Sequence, residues 1–561
     1  MCGILAILDA PGATGSPRDH AARAEQLLDT LAHRGPDGRG TLALDRAWLG
    51  HRRLAIVDPA GGAQPFVDDS IAWVANAEVY NHEMLRRQHC VDLASRSDCA
   101  VIGPAWRALR DQLPSALDAQ FAFVCIDQAT GHWIAARDHI GICPLYVGHH
   151  ADATIWFASE MKAIVRDCDR VALVEPGTMW TCDERGLRVT RWYDPDWMRE
   201  PGTRITGPER IRKALTSAVE KRLMADVPWG VLLSGGFDSS IVASIASRFA
   251  REHGLGPIHT FSIGLEGGAD LAPARAVADF LGTIHHELTF TIDEALAALP
   301  RVVDHLESYQ QVRTGVPTYL LAERITDLGF KMVLSGEGAD ELFGGYLYFH
   351  KAPSPRAFHE ETVRKTTRLH QYDVMRANKA PMGFGLELRF PFLDRAVVDL
   401  AMSMAPETRM PARGPSGRPI EKAVVRWAFE DEIDPWLPAE ILWRQKEQFS
   451  DGVGYAWVDE LRRIAAGRID ETTLDMAAAR FPEDPPCNPE MYWMRELFEA
   501  RFVSHARAGR TSLATIGTGR SIACSTPEAV SWDPSWESMA GDISGRAIAG
   551  VHASNRSLTS A

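Results

Sequence analysis

The stretch Leu232-Leu233-Ser234-Gly235-Gly236-Phe237-Asp238-Ser239-Ser240 constrains this chain more than any other. It follows a largely apolar run, Val227 to Leu233, short enough for one buried strand. It precedes Ile241-Val242-Ala243, which opens a helical pattern. A strand, a polar glycine turn and a helix together make a phosphate site. Two glycines let successive N–H groups point into one concavity, the helix N-terminus adds partial positive charge, and Ser234, Ser239 and Ser240 add hydroxyl donors. The lysine of G-x-x-x-x-G-K-[ST] is missing, so the usual γ-phosphate grip is not there. Asp238 within the loop points instead to a pyrophosphate held through magnesium.

This loop resembles the S-G-G-x-D-S motif of ATP pyrophosphatases, which adenylate a carboxyl oxygen and release pyrophosphate. The 561 residues exceed what one core normally supports, so two domains, with or without a tail, are expected. A net charge of −14 without a Lys/Arg-rich run argues against nucleic acid as a partner. No apolar stretch approaches the ~20 residues needed to cross a bilayer, and the N-terminus lacks a signal-peptide layout, so a cytoplasmic protein with no membrane association is expected. Nine cysteines without a C-x-x-C pair fit neither a disulfide framework nor a zinc site.

The chain begins Met1-Cys2-Gly3-Ile4-Leu5-Ala6-Ile7-Leu8, an apolar strand with a cysteine at its start. Loss of Met1 would place a thiol and a free α-amine on one residue, supplying nucleophile and base together; an unperturbed α-amine titrates near ~7.7–8.0. Downstream stand His33-Arg34-Gly35-Pro36-Asp37, His51 to Asp58, Gln64-Pro65, Asn76-Ala77-Glu78-Val79-Tyr80-Asn81, Ser97-Asp98, Arg137 to Gly141 and Ala158 to Lys162. In this order they resemble the class II glutamine amidotransferase half of asparagine synthetases, an N-terminal-nucleophile fold of two stacked sheets. Glutamine is a zwitterion, so its pocket needs a fixed cation and a fixed anion. The resemblance gives those roles to Arg53 and Asp98, adds Val57 and Glu78 as glutamine contacts, and makes the Asn76 side chain and the Ala77 N–H the oxyanion donors. The family normally has glycine where Ala77 stands. If that position requires φ > 0, alanine is strained there, and its methyl is expected to reach toward the amide-nitrogen side of the pocket.

Asp194-Pro195-Asp196 and Glu200 to Thr203 read as a linker. Thr206-Gly207-Pro208-Glu209 carries a capping-box pattern, and Ile211, Ala214, Leu215, Ala218, Val219 and Leu223 recur at helical spacing. Strands over 258–264 and 284–290 then alternate with helices over 271–281 and 293–305, the pattern of a parallel α/β sheet. His285-His286 has no third ligand at hand and reads as core or nucleotide-flanking rather than metal-binding.

A second glycine-rich acidic loop, Ser335-Gly336-Glu337-Gly338-Ala339-Asp340-Glu341, follows the strand Lys331 to Leu334. The resemblance to asparagine synthetases continues through it and through Glu387-Leu388-Arg389 and Trp443 to Phe449, so that it covers nearly the whole chain. It implies ATP contacts at Leu233, Ser234, Gly235, Gly236, Asp238, Ser239, Ser240, Ile263, Ser335 and Gly336. It also implies magnesium at Asp238 and Asp340, Glu337 as acid/base, Lys446 beside the α-phosphate, and Arg313, Glu387 and Arg389 at the acceptor. The expected architecture is α/β overall: an αββα glutaminase domain over 2–195, a parallel-sheet ATP-pyrophosphatase domain over 206–505, and a partly disordered tail over 506–561, with a homodimer possible. The expected reaction is adenylation of a carboxylic acid by ATP, then amidation by glutamine-derived nitrogen. Aspartate is the default acceptor. The segment Glu307 to Pro317 departs from the family by lacking a threonine pair ahead of Arg313, and Leu388 is larger than the family prefers. These departures keep open a less polar acid, and Ala77 at the donor site keeps open a substituted nitrogen such as hydroxylamine. A glutamine or nucleotide sensor without turnover is the alternative of another class.

Overall fold

A computed structural model describes residues 1–89, 94–266, 268, 270–446, 455–503 and 531–532. The expected tail over 506–561 lies outside the described residues, apart from 531 and 532.

The first half holds two six-stranded antiparallel sheets. One runs in the order β10 (Arg170–Leu173), β8 (Tyr146–His149), β9 (Ile155–Ala158), β1 (Gly3–Leu8), β3 (Ala47–Arg53), β2 (Gly38–Ala43). The other runs β12 (Gly186–Arg191), β11 (Thr178–Asp183), β7 (Trp133–Arg137), β6 (Ala119–Asp127), β5 (Ile71–Val79), β4 (Phe66–Asp68). Every residue of β1, β5 and β6 is buried, because each strand is covered on both faces. Side chains alternate along β5: Ala72 and Val74 join the core shared with β1, whereas Trp73, Ala75 and Ala77 join a second core with Trp106 and Leu85. Those two residues come from the helices Ile102–Leu109 and His82–His89. Sheet on sheet with helices outside is the expected αββα arrangement.

The segment after β12 packs back on the second half, where Tyr193 Oη and Trp197 Nε1 donate to Asp399 at 2.6 and 3.0 Å. The helix Pro208–Lys221 buries Ile211, Leu215, Ala218 and Val219 as its spacing implies, and Leu223 lies beyond its end. The capping box does not form. Pro208 takes the first helical position, so Gly207 and not Thr206 is the N-cap.

The second sheet is parallel throughout, in the order β15 (Ile284–Thr289), β14 (His259–Gly264), β13 (Trp229–Leu232), β16 (Met332–Leu334), β17 (Glu387–Arg389). The chain runs outward from β13 to β15 and then returns to the other side of β13 with β16. The order therefore reverses between β13 and β16, and ligands of such sheets bind beyond the strand ends at that reversal. The two glycine loops follow these two strands. No helix among the described residues is long and apolar enough to cross a membrane.

Candidate active sites

Cys2 stands at the start of β1 with its side chain partly buried. Its backbone N–H donates to Asn76 Oδ1 at 2.7 Å, and Leu54 N–H donates to its sulfur at 3.4 Å. Arg34 Nε donates to the Cys2 carbonyl at 3.0 Å and Nη1 to Glu160 at 2.9 Å, which fixes the strand start. Asn76 reaches Cys2 because it shares the β5 face of Ala72 and Val74. Gln64 holds β5 at the neighbouring residue, accepting from Ala75 N at 2.7 Å and donating to Ala75 O at 3.2 Å. Asn76 is fully buried, and its Nδ2 has no hydrogen-bond partner. A buried donor left unpaired costs roughly 1–3 kcal/mol. Such a group fits an acceptor that arrives with the substrate. Burial pushes the Cys2 thiol up, against the pull of the N-terminal ammonium, so a base is needed to make the thiolate.

Arg53 donates to the carbonyls of Pro59 at 2.8 Å, Asp58 at 2.6 Å and Val57 at 3.5 Å, and among the described residues it meets no carboxylate. A side chain at Gly62 would strike Arg53 Nη2 at 2.5 Å, so the glycine keeps the guanidinium in place. Asp98 is buried and accepts from Val79 N at 2.7 Å; burial raises its carboxyl. Arg53 is thus fixed by backbone carbonyls and Asp98 by a backbone N–H.

In the second half, a cavity of about 330 Å³ opens where the two glycine loops meet. Leu233, Ser234, Gly236, Asp238, Ser239, Ile263, Ser335, Gly336, Glu337, Asp340 and Lys446 all line it, as expected. Ser234 and Ser239 join through their hydroxyls at 3.0 Å, closing the first loop. Gly336 lies so close to this loop that a Cβ would meet Ser239 N at 2.7 Å. Lys422 Nζ stands 2.6 and 2.7 Å from the Asp238 oxygens and 2.7 Å from Asp340 Oδ1, and Lys446 Nζ stands 2.7 Å from Asp340 Oδ2. Burial would raise Asp340, but these two ammoniums outweigh it and hold the carboxyl below its usual range. Glu337 goes the other way: burial raises it, although Arg376 donates to it at 2.5 Å.

Residues 210–357 and 352–515 match the asparagine synthase family, and residues 1–182 match the glutamine amidotransferase domain family. The chain is 47% identical to glutamine-hydrolysing asparagine synthetase 3 of Arabidopsis thaliana, over 99% of this chain and 96% of that one. It belongs to the glutamine-hydrolysing asparagine synthetase family. It is 46% identical to asparagine synthetase 2 of Oryza sativa subsp. japonica (98% and 93% covered) and 45% identical to that of Asparagus officinalis (98% and 93% covered).

Within this asparagine synthetase framework, six of the expected site residues stand otherwise than the sequence implies. Glu387 and Arg389 do not line the cavity; they are fully buried on its far side. Arg389 pairs with Glu78, donates to Glu387 at 2.7 Å, and reaches the carbonyls of Arg222 and Met224 at 2.8 and 2.5 Å. Glu387 also takes the Met1 ammonium. The reason is strand alternation: with 387 and 389 facing the glutaminase half, only Leu388 of β17 faces the cavity. Arg313 does line the cavity, but Glu490 engages it bidentately at 2.6 and 2.7 Å.

Ser240 and Gly235 are not cavity wall. Ser240 is fully buried within the helix Phe237–Glu252, and Gly235 makes the turn instead, at φ +73, with Ala274 N 2.4 Å from where a Cβ would be. Ala77 has no positive φ and its methyl lies in the core with Trp106, so neither the feared strain nor the approach to the pocket occurs. Sequence reasoning missed Lys422, Arg376 and Glu490. Each approaches from a helix, helix start or loop far along the chain, in a stretch without a motif of its own.

Proposed function

We propose that this protein makes asparagine from aspartate, ATP and glutamine, with 2–195 as the glutaminase unit and 206–505 as the synthetase unit. The observation that carries this reading is the meeting of the two glycine-acid loops, at the reversal of a parallel sheet, on the opposite side of β17 from the cysteine site. Removal of Met1 frees the Cys2 amine, which takes the thiol proton as sulfur attacks the glutamine amide and returns it to the leaving nitrogen. Asn76 Nδ2 and the Ala77 N–H receive the oxyanion, while Arg53 and Asp98 hold the zwitterion, with Val57 and Glu78 beside it. In the cavity, the nucleotide lies against Ser234, Gly236, Ser239, Ile263, Ser335 and Gly336. Lys446 balances charge as pyrophosphate departs, and Glu337, its carboxyl raised by burial, manages the proton of the attacking nitrogen.

The donor set fits Mg²⁺. Asp238 and Asp340 bring hard oxygens together on one wall, and this ion takes one or two carboxylates plus phosphate oxygens. When bound, it would neutralise charge on the departing pyrophosphate. Aspartate is favoured over a less polar acid by the nearly full-length matches to asparagine synthetases. The substituted-nitrogen reading rested on Ala77, whose methyl points away from the site.

The test is ATP–pyrophosphate exchange with aspartate against a panel of aryl and alkenyl carboxylic acids, alongside asparagine formation from glutamine. Exchange driven by aspartate and not by the panel supports the reading. Exchange driven only by the panel overturns it, and the absence of any pyrophosphate release would leave the sensor.

A further inference from the structure

With Glu387 and Arg389 outside the cavity and Arg313 engaged by Glu490, none of the expected acceptor residues offers an unengaged cation. The other lysines and arginines lining the cavity each meet a carboxylate as well, Arg376 through Glu337 and Lys446 through Asp340 among them. Lys365 is different. It lines the cavity from the helix Pro355–Arg368, is 1% exposed, and pairs with no acid among the described residues. Its ammonium sits over the rings of Tyr346 at 4.9 Å and Tyr372 at 5.5 Å. Ring faces offset part of the cost of burying a charge and leave its N–H donors available. A buried ammonium maintained without a counter-ion fits an anion that comes and goes with turnover.

Two anions visit such a cavity, phosphate and carboxylate. The glycine loops carry their own ammoniums, Lys422 and Lys446, at Asp238 and Asp340. The acceptor has one carboxylate that loses its charge on adenylation and one that stays charged throughout. The second needs a permanent cation once water is excluded. We propose that Lys365 Nζ binds the carboxylate of aspartate that is not adenylated, an inference that rests on the acceptor reading above.

The experiment is ATP–pyrophosphate exchange with Lys365→Met, which keeps the stem and removes the charge. The KM for aspartate should rise on the order of 100-fold, in line with truncating one partner of a buried charge pair. The KM for ATP should stay within about twofold. Lys365→Arg should recover part of the aspartate affinity, and the thermal midpoint of Lys365→Met should not fall, since the variant removes an unpaired buried charge. Lys365→Gln serves if the methionine variant does not fold. An unchanged aspartate KM, or an ATP KM rising in step with it, overturns the inference while leaving the acceptor reading intact. Wild-type protein without aspartate-dependent exchange overturns both.

Discussion

Cys2 positions Asn76: the cysteine backbone N–H donates to the asparagine side-chain oxygen at 2.7 Å, which leaves Asn76 Nδ2 buried and without an acceptor. If that nitrogen serves the oxyanion, Asn76→Ala should lower glutaminase kcat by about 10²–10³-fold, or ~2.7–4 kcal/mol of barrier. Ammonia-supported synthesis by the same variant should persist. The check is paired kinetics with glutamine and with ammonium salts; equal loss on both nitrogen sources would assign Asn76 to folding.

Cys2→Ala should abolish glutamine use and spare synthesis from ammonia, because the cysteine and the loops of Asp238 and Glu337 lie on opposite sides of β17. The same preparations carry a second test. The Met1 ammonium is held at Glu387, so the Cys2 nitrogen is an amide until Met1 is removed. Intact mass of glutaminase-active protein should therefore lack Met1, and a fully active form that retains it would end the single-residue mechanism.

Asp238→Asn and Glu337→Gln should fail at different steps. Asp238 shares Lys422 with Asp340 at the proposed pyrophosphate wall, so its loss should stop ATP–pyrophosphate exchange by 10²-fold or more, on the order of 3 kcal/mol of transition-state stabilisation. Glu337 pairs with Arg376 and is proposed for the later proton step, so exchange should continue while asparagine formation falls. Parallel loss of exchange in both variants would refute the division.

His139 supplies a pH test of the junction between the halves. Its ring donates from Nε2 to the Leu393 carbonyl at 3.0 Å, and burial pushes its pKa down to about 3. Below the ordinary value of 6.5 the unfolded chain takes up a proton that the folded chain refuses. The stability contributed by the neutral ring is full above that value and declines as pH falls, by about 1.4 kcal/mol per unit. Thermal midpoints measured from pH 7.5 to 5 should drop on the acid side, and His139→Gln should flatten that drop. An unchanged slope in the variant would place the acid sensitivity elsewhere.

Much of the site was legible because its chemistry is local. A strand, two glycines and an acid announce a phosphate loop from nine consecutive residues, and the helix over 271–281 and the strand endings near 264 and 334 follow from the same short-range patterns. The partners of those acids were not legible. Lys422 reaches Asp238 across 184 positions, and Glu490 reaches Arg313 across 177. No periodicity records such pairings, which are decided by how helices dock. The misplacement of Glu387 and Arg389 has a different origin. Two residues apart on a strand share a face, so the pair was correctly kept together, but which face looks onto the cavity is fixed only when the neighbouring half covers the other.

Strand β17 is three residues long and has two employers. Leu388 lines the cavity proposed for activation of the acid, while its immediate neighbours face the glutaminase half, Arg389 through its ion pair with Glu78 and Glu387 through the Met1 ammonium as long as Met1 is present. A backbone this short cannot yield on one side alone. Redesign of acceptor choice at position 388 is therefore also an alteration to the nitrogen supply, and a variant selected for a new acid has to be assayed with glutamine as well as with ammonia before its specificity is understood.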